Sequence, residues 1–144
     1  MTSTKPSTLV TVFTLTTLVT GPSARLREAA IAAVLAPAVT TALILEGLSD
    51  GNSLLPVTSD LQLARSSALP LQIVRIAPAC LCCTGNLILR VTLNRILRRA
   101  PRRLFISLAN AQHIEHLRLF LTQAPYDQYL SMSADMIVEA SAST

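Results

Sequence analysis

Tryptophan is absent, and three phenylalanines and two tyrosines are the only aromatic side chains in 144 residues. Any core must therefore be assembled from Leu, Val, Ile and Ala, as in layered α/β proteins. The same scarcity removes the successive ring platforms on which a single-stranded nucleic acid stacks. Charge is sparse too, at 14% of residues against 51% hydrophobic, which excludes disorder over most of the length. A membrane-length apolar run is also lacking. Ala29 to Leu45 is uncharged, but Pro37 divides it into a helix-like and a strand-like half, each too short to cross a bilayer. The first 24 residues mimic an export signal, yet Leu9 to Val19 is threonine-rich and β-branched, closer to a strand than to a signal helix. No nucleophile-elbow pattern joins the serines, histidines and acids, so nothing points to a hydrolase. These absences lead to the expectation of a cytoplasmic protein with no membrane partner, whose thiols stay reduced.

What charge there is lies unevenly. The net charge is +4, and of twelve basic residues six fall between Arg90 and Arg103. That is a local basic patch rather than a global field. A solvated helix face explains it most simply, nucleic-acid binding is not expected, and docking of an acidic partner is the functional alternative.

Taken in order, the chain alternates strand and helix patterns. Thr2 to Ser7 is a polar lead-in, and Leu9 to Thr20 reads as a buried strand closed by Gly21-Pro22. Ala24, Leu26, Ala30, Ile31 and Val34 then return at helical spacing until Pro37. Val39 to Leu45 and Leu71 to Ile76 read as further strands, with a polar, turn-rich stretch between them and a short helical turn within it at Leu61 to Ala68. Asn86 to Arg99 is the clearest helix, with Leu89, Leu93, Ile96 and Leu97 on one face and Arg90, Asn94 and Arg98 on another. Leu104 to Leu108 is a fourth strand, Asn110 caps a helix from Ala111 to about Gln123, and Met136-Ile137-Val138 suits an edge strand. Residues 1–7 and 140–144 read as loose termini of a single domain. The alternation predicts an α/β fold of three layers with a mostly parallel sheet, whose strand-to-helix loops share the carboxyl rim.

All three cysteines lie within four positions, as Cys80, Cys82 and Cys83. Thiolates select soft ions such as zinc or copper(I), and this spacing puts three on one short loop. Core filling is the plain alternative, and disulfide pairing is disfavoured by the odd count and the strained rings that neighbours would close. His113 and His116, three apart, are candidates for a fourth ligand, though solvated histidines near a helix start are commoner.

The run Ala79-Cys80-Leu81-Cys82-Cys83, preceded by a strand ending Val19-Thr20-Gly21 and followed by an amphipathic helix and another strand, resembles the amino-terminal half of the CobW-type P-loop GTPases. Those metallochaperones carry a Gly-Cys-Ile/Leu-Cys-Cys metal motif, of which only the glycine differs here. The resemblance implies a P-loop-like domain, truncated relative to the family. It also implies a zinc-class ion on Cys80, Cys82 and Cys83, and metal handling or delivery to a client metalloprotein. The phosphate loop departs from the family pattern: Gly21 alone remains of its glycines, Arg27 stands at the lysine position, and Glu28 replaces the first magnesium-binding hydroxyl. Gly21 and Arg27 are thus a vestigial phosphate loop. No Asn-Lys-x-Asp guanine reader occurs, so the chain is expected to be a non-hydrolysing GTPase homologue that does not bind GTP in the ordinary way.

Overall fold

A computed structural model of the chain describes residues 13–47, 55, 71–77 and 87–140. Six strands form one sheet: β1 (Thr14–Thr20), β2 (Thr41–Glu46), β3 (Leu71–Ile76), β4 (Arg103–Leu108), β5 (Leu130–Met132) and β6 (Met136–Ile137). Among the described residues three α-helices accompany them: α1 (Ala24–Val34), α2 (Leu87–Leu97) and α3 (Ile114–Leu121). The strand order is β3-β2-β4-β1-β5, with β6 also on β1, and every pairing is parallel.

The order dictates the layers. The chain moves one way across the sheet from β1 to β2, and the other way from β3 to β4 and from β4 to β5. Right-handed crossovers then put α1 on one face and α2 and α3 on the opposite face. The core divides accordingly. Leu18, Ala42, Ile44, Leu104 and Ile106 pack with Leu89, Leu93 and Ile96 of α2 and with Leu117 and Leu121 of α3. Val19, Leu43, Leu45 and Phe105 pack with Ile31 of α1. Successive strand residues therefore alternate between two apolar layers, which is why β2 and β4 read as continuous hydrophobic runs. Fully burying each such Leu or Ile contributes about 1.5–3 kcal/mol. The three-layer α/β arrangement is the one the alternating pattern predicts.

Local chemistry sets the ends of the helices. Ser23 caps α1, its Oγ accepting the Leu26 N–H at 3.2 Å. Arg98 to Ala100 close α2 in a turn that puts Ala100 at φ 46, and Pro101 follows it. The Asn110 side chain accepts from the Gln112 N–H at 2.9 Å, but the first turn it caps, Ala111–His113, is a 3-10 helix, and α-helix begins only at Ile114.

Several boundaries differ from the sequence pattern, among them the second strand, expected at Val39 to Leu45 and found at Thr41–Glu46, and one strand was not anticipated. The first strand starts at Thr14, with Leu9 to Val12 outside the described residues. The helix expected to reach Gln123 ends at Leu121, where the Thr122 hydroxyl bonds back to the Arg118 and Leu119 carbonyls. The unanticipated strand is β5, three residues with no periodicity to detect; β6 coincides with the expected edge strand. The short turn expected at Leu61 to Ala68 lies outside the described residues.

Candidate functional site

Parallel strands in register end together. Thr20 aligns with Leu108, Leu45 with Ser107 and Glu46 with Ile76, so Gly21, Gly47, Ala77 and Ala109 emerge on one rim. The chain leaves β1 for one face and the adjacent β4 for the other, and the crevice between such diverging strands is where ligands of open parallel sheets bind.

In this protein a buried guanidinium stands in that crevice. Arg27, only 3% exposed, projects from α1; its Nε donates to Ser107 Oγ at 2.8 Å and its Nη1 to the Gly21 carbonyl at 2.9 Å. Nη2 makes a longer contact of 3.4 Å with the Glu46 carbonyl. Glu46 is itself buried, and its carboxylate accepts the Ala109 N–H at 2.9 Å, tying the end of β2 to the loop after β4. Burial pulls the Arg27 pKa down, while first Glu46 and then Glu28 act to raise it. Next to Arg27 on α1, buried Glu28 meets Arg75 of β3 at 2.6 Å. Four charged side chains thus clamp α1 to the ends of β2, β3 and β4.

Gly21 is fixed by crowding. A Cβ there would stand 3.0 Å from the Val138 Cβ, 3.1 Å from the Val138 carbonyl and 3.1 Å from the Arg27 Cγ. The segment after β6 therefore lies against the rim, held by the Val138 N–H donating to the Thr20 carbonyl at 2.8 Å. Gly21 and Arg27, which the sequence paired as a vestigial phosphate loop, are brought into contact, with three of the Arg27 donor groups directed at protein acceptors.

A second arrangement lies on the exposed side of α2 and the turn that follows it. Arg90, Arg95, Arg98, Arg99 and Arg102 are exposed, whereas Arg103 turns inward, its guanidinium 4.5 Å from the centre of the Phe105 ring. Beside α2 runs a groove formed with the end of α3 and the 3-10 turn Tyr126–Gln128. It holds two adjoining cavities of about 350 and 360 Å³, both lined by Asn94, Pro125 and Tyr126. Arg98 and Tyr129 complete the first, Arg90 and Phe120 the second. Three of the five aromatic side chains of the protein, Phe120, Tyr126 and Tyr129, gather there. Arg90 lies over the Phe120 ring at 5.6 Å, and the Phe120 and Tyr126 rings are tilted 45° at 5.2 Å. Burial holds the Tyr126 phenol above its ordinary range, with Arg90 acting against that shift.

The sequence pointed to the basic face of α2 but not to the groove, because scarcity of aromatics says nothing of where they meet. The charged clamp was also missed. Its signal was there, in Arg27-Glu28 within an alanine-rich helix, Glu46 closing an apolar strand and Arg75 inside Ile-Val-Arg-Ile.

Cys80, Cys82 and Cys83 lie outside the described residues, between the end of β3 and the start of α2. Among the described residues no three His, Cys, Asp or Glu side chains form a group that would hold a metal ion. His113 is half-buried in the 3-10 turn before α3, and His116 is exposed on α3. No described helix is long and apolar enough to cross a membrane. No family model, curated protein or solved structure matches the chain.

Proposed function

We propose that the protein is a non-catalytic interaction module that docks an acidic partner through α2. The observation that carries this reading is the set of exposed arginines at 90, 95, 98, 99 and 102, beside a groove that no carboxylate among the described residues lines. The filled crevice supports it from the other side, because Arg27 directs three donor groups inward where a phosphate ligand would need them free. That engagement also fits a non-hydrolysing homologue of a GTPase. Titration of the chain with polyglutamate is the test. Binding that weakens steeply with salt and is lost on Arg95→Glu/Arg99→Glu is expected, and no binding at low salt would remove the reading.

A second reading rests on the three thiols within four positions. In it Cys80, Cys82 and Cys83 hold a zinc-class ion for delivery to a client metalloprotein, in the manner that the CobW resemblance implies. Three ligands leave a fourth position for water, a histidine or the client's own ligand. A reducing compartment such as the cytoplasm suits unpaired thiols. The metal content of the purified chain, compared with that of a variant in which all three cysteines are serine, tests it independently of docking.

A further inference from the structure

We propose that the groove beside α2 recognises an acidic peptide segment carrying one large apolar side chain, which enters the cavity beneath Tyr129 while flanking carboxylates pair with Arg90 and Arg98. The proposal rests on the docking reading above and names its partner class.

The two cavities differ in character. The one that includes Tyr129 is walled by Leu97, Pro125 and Tyr126, an apolar chamber with Arg98 at its margin. The other brings Arg90 and Gln123 together with Asn94, a polar chamber. Among the described residues no acidic side chain lines either, and an arginine stands in each, so the lining itself carries positive charge. Arg90 on α2 and Arg98 in the turn that closes it are eight residues apart, about 12 Å at the helical rise, a span that an extended peptide covers in about three to four residues. Carboxylates that reach Arg90 and Arg98 match that span, with the apolar side chain entering the chamber at the Arg98 end. Guanidinium groups bind carboxylates bidentately, and an aromatic-lined pocket at the centre of a charged rim is the usual form of an anchor site.

The rings do not suit a nucleic acid. Tyr126 is 4% exposed, and Arg90 lies over the Phe120 ring. Tyr129, at 51% exposure, is the one open ring of the three, and successive bases need successive platforms.

The test uses fluorescence anisotropy at low salt with a labelled heptapeptide of six Asp and Glu residues around a central Phe, a counterpart with central Ser, polyglutamate, and oligothymidylate. The Phe peptide is expected to bind about ten-fold tighter than the Ser peptide. Tyr129→Ala should erase that preference while leaving salt-sensitive binding in place. Arg90→Gln/Arg98→Gln should weaken the Phe peptide about ten-fold, and Arg95→Gln much less. All these side chains are exposed, and unchanged circular dichroism confirms that each variant folds. Equal binding of the Phe and Ser peptides overturns the groove proposal and leaves the docking reading standing. Failure of polyglutamate and both peptides to bind overturns both. Tighter binding of oligothymidylate than of the Phe peptide overturns it in favour of a nucleic-acid surface.

Discussion

Arg75 of β3 reaches across the sheet face to Glu28 of α1, with its Nη2 2.6 Å from the carboxylate Oε1. That oxygen accepts no hydrogen bond of ordinary geometry, so the contact is one of charge on charge rather than an aligned pair. The Glu28 side chain is 4% exposed and that of Arg75 28%. Removing Arg75 therefore strands a buried carboxylate. Arg75→Ala should destabilise the fold by about 2–3 kcal/mol, less than the roughly 3–5 kcal/mol of a fully buried pair because water already reaches the guanidinium. The double variant Glu28→Leu/Arg75→Met should recover most of it. Urea unfolding of the three proteins measures both effects, and an unchanged midpoint for Arg75→Ala would show that the pair contributes nothing.

Gly21→Ala should destabilise by about 1–3 kcal/mol through overpacking against Val138 and Arg27. Val138→Ala in the same chain should relieve only part of the loss, because the Val138 carbonyl stays 3.1 Å from the new methyl. Thermal unfolding of the single and double variants checks the order. A Gly21→Ala chain as stable as the parent would mean that the segment after β6 yields easily.

Alkaline stability should depend on Tyr126. Its folded pKa is raised above the ordinary value of 10.0, mainly by burial. The folded state thus holds its proton to higher pH than the unfolded chain. The resulting stabilisation is complete below about pH 10 and is lost as pH rises through the folded pKa. Tyr126→Phe removes this contribution, so its urea midpoint should fall less than that of the parent between about pH 9 and 11. Parallel slopes would assign the loss to other groups.

For the cysteine reading, the expected metal content is about one zinc-class ion per chain, released on acidification as the thiolates take up protons. Cys82→Ser should weaken binding severely, since it removes the ligand flanked by the other two. Atomic absorption after gentle purification decides it, and an undiminished content in that variant would argue that the cysteines are incidental.

Periodicity sufficed where an element buries two layers or a clean stripe. The β3 strand spans the predicted Leu71 to Ile76, and α2 lies within the predicted Asn86 to Arg99, because apolar spacing alone decides both. It failed where structure depends on distant partners. The three residues of β5 become a strand only by pairing with Thr14 to Thr16, and no local signal announces that. The buried charges escaped for a related reason. Glu46, Arg75 and Ser107 are far apart in sequence, and only the parallel register puts their strand ends side by side. The groove required the turn at Pro125 to carry Tyr126 and Tyr129 back toward α2, a tertiary event invisible to composition.

The outer edge of β1 is covered in two pieces, β5 along Thr14 to Thr16 and β6 along Val19 and Thr20. Ser133 bridges the interval, its N–H donating to the Thr16 carbonyl at 2.9 Å and its hydroxyl 2.6 Å from that of Thr17. Neither piece alone is long enough to template an alien strand. Were the chain beyond Leu130 to peel away, however, a seven-residue strand rich in threonine, leucine and valine would be laid bare along its whole length, the kind of edge that recruits a neighbour. Docking of residues 130–138 thus doubles as a guard against self-association, and destabilising it should show first as aggregation rather than as unfolding.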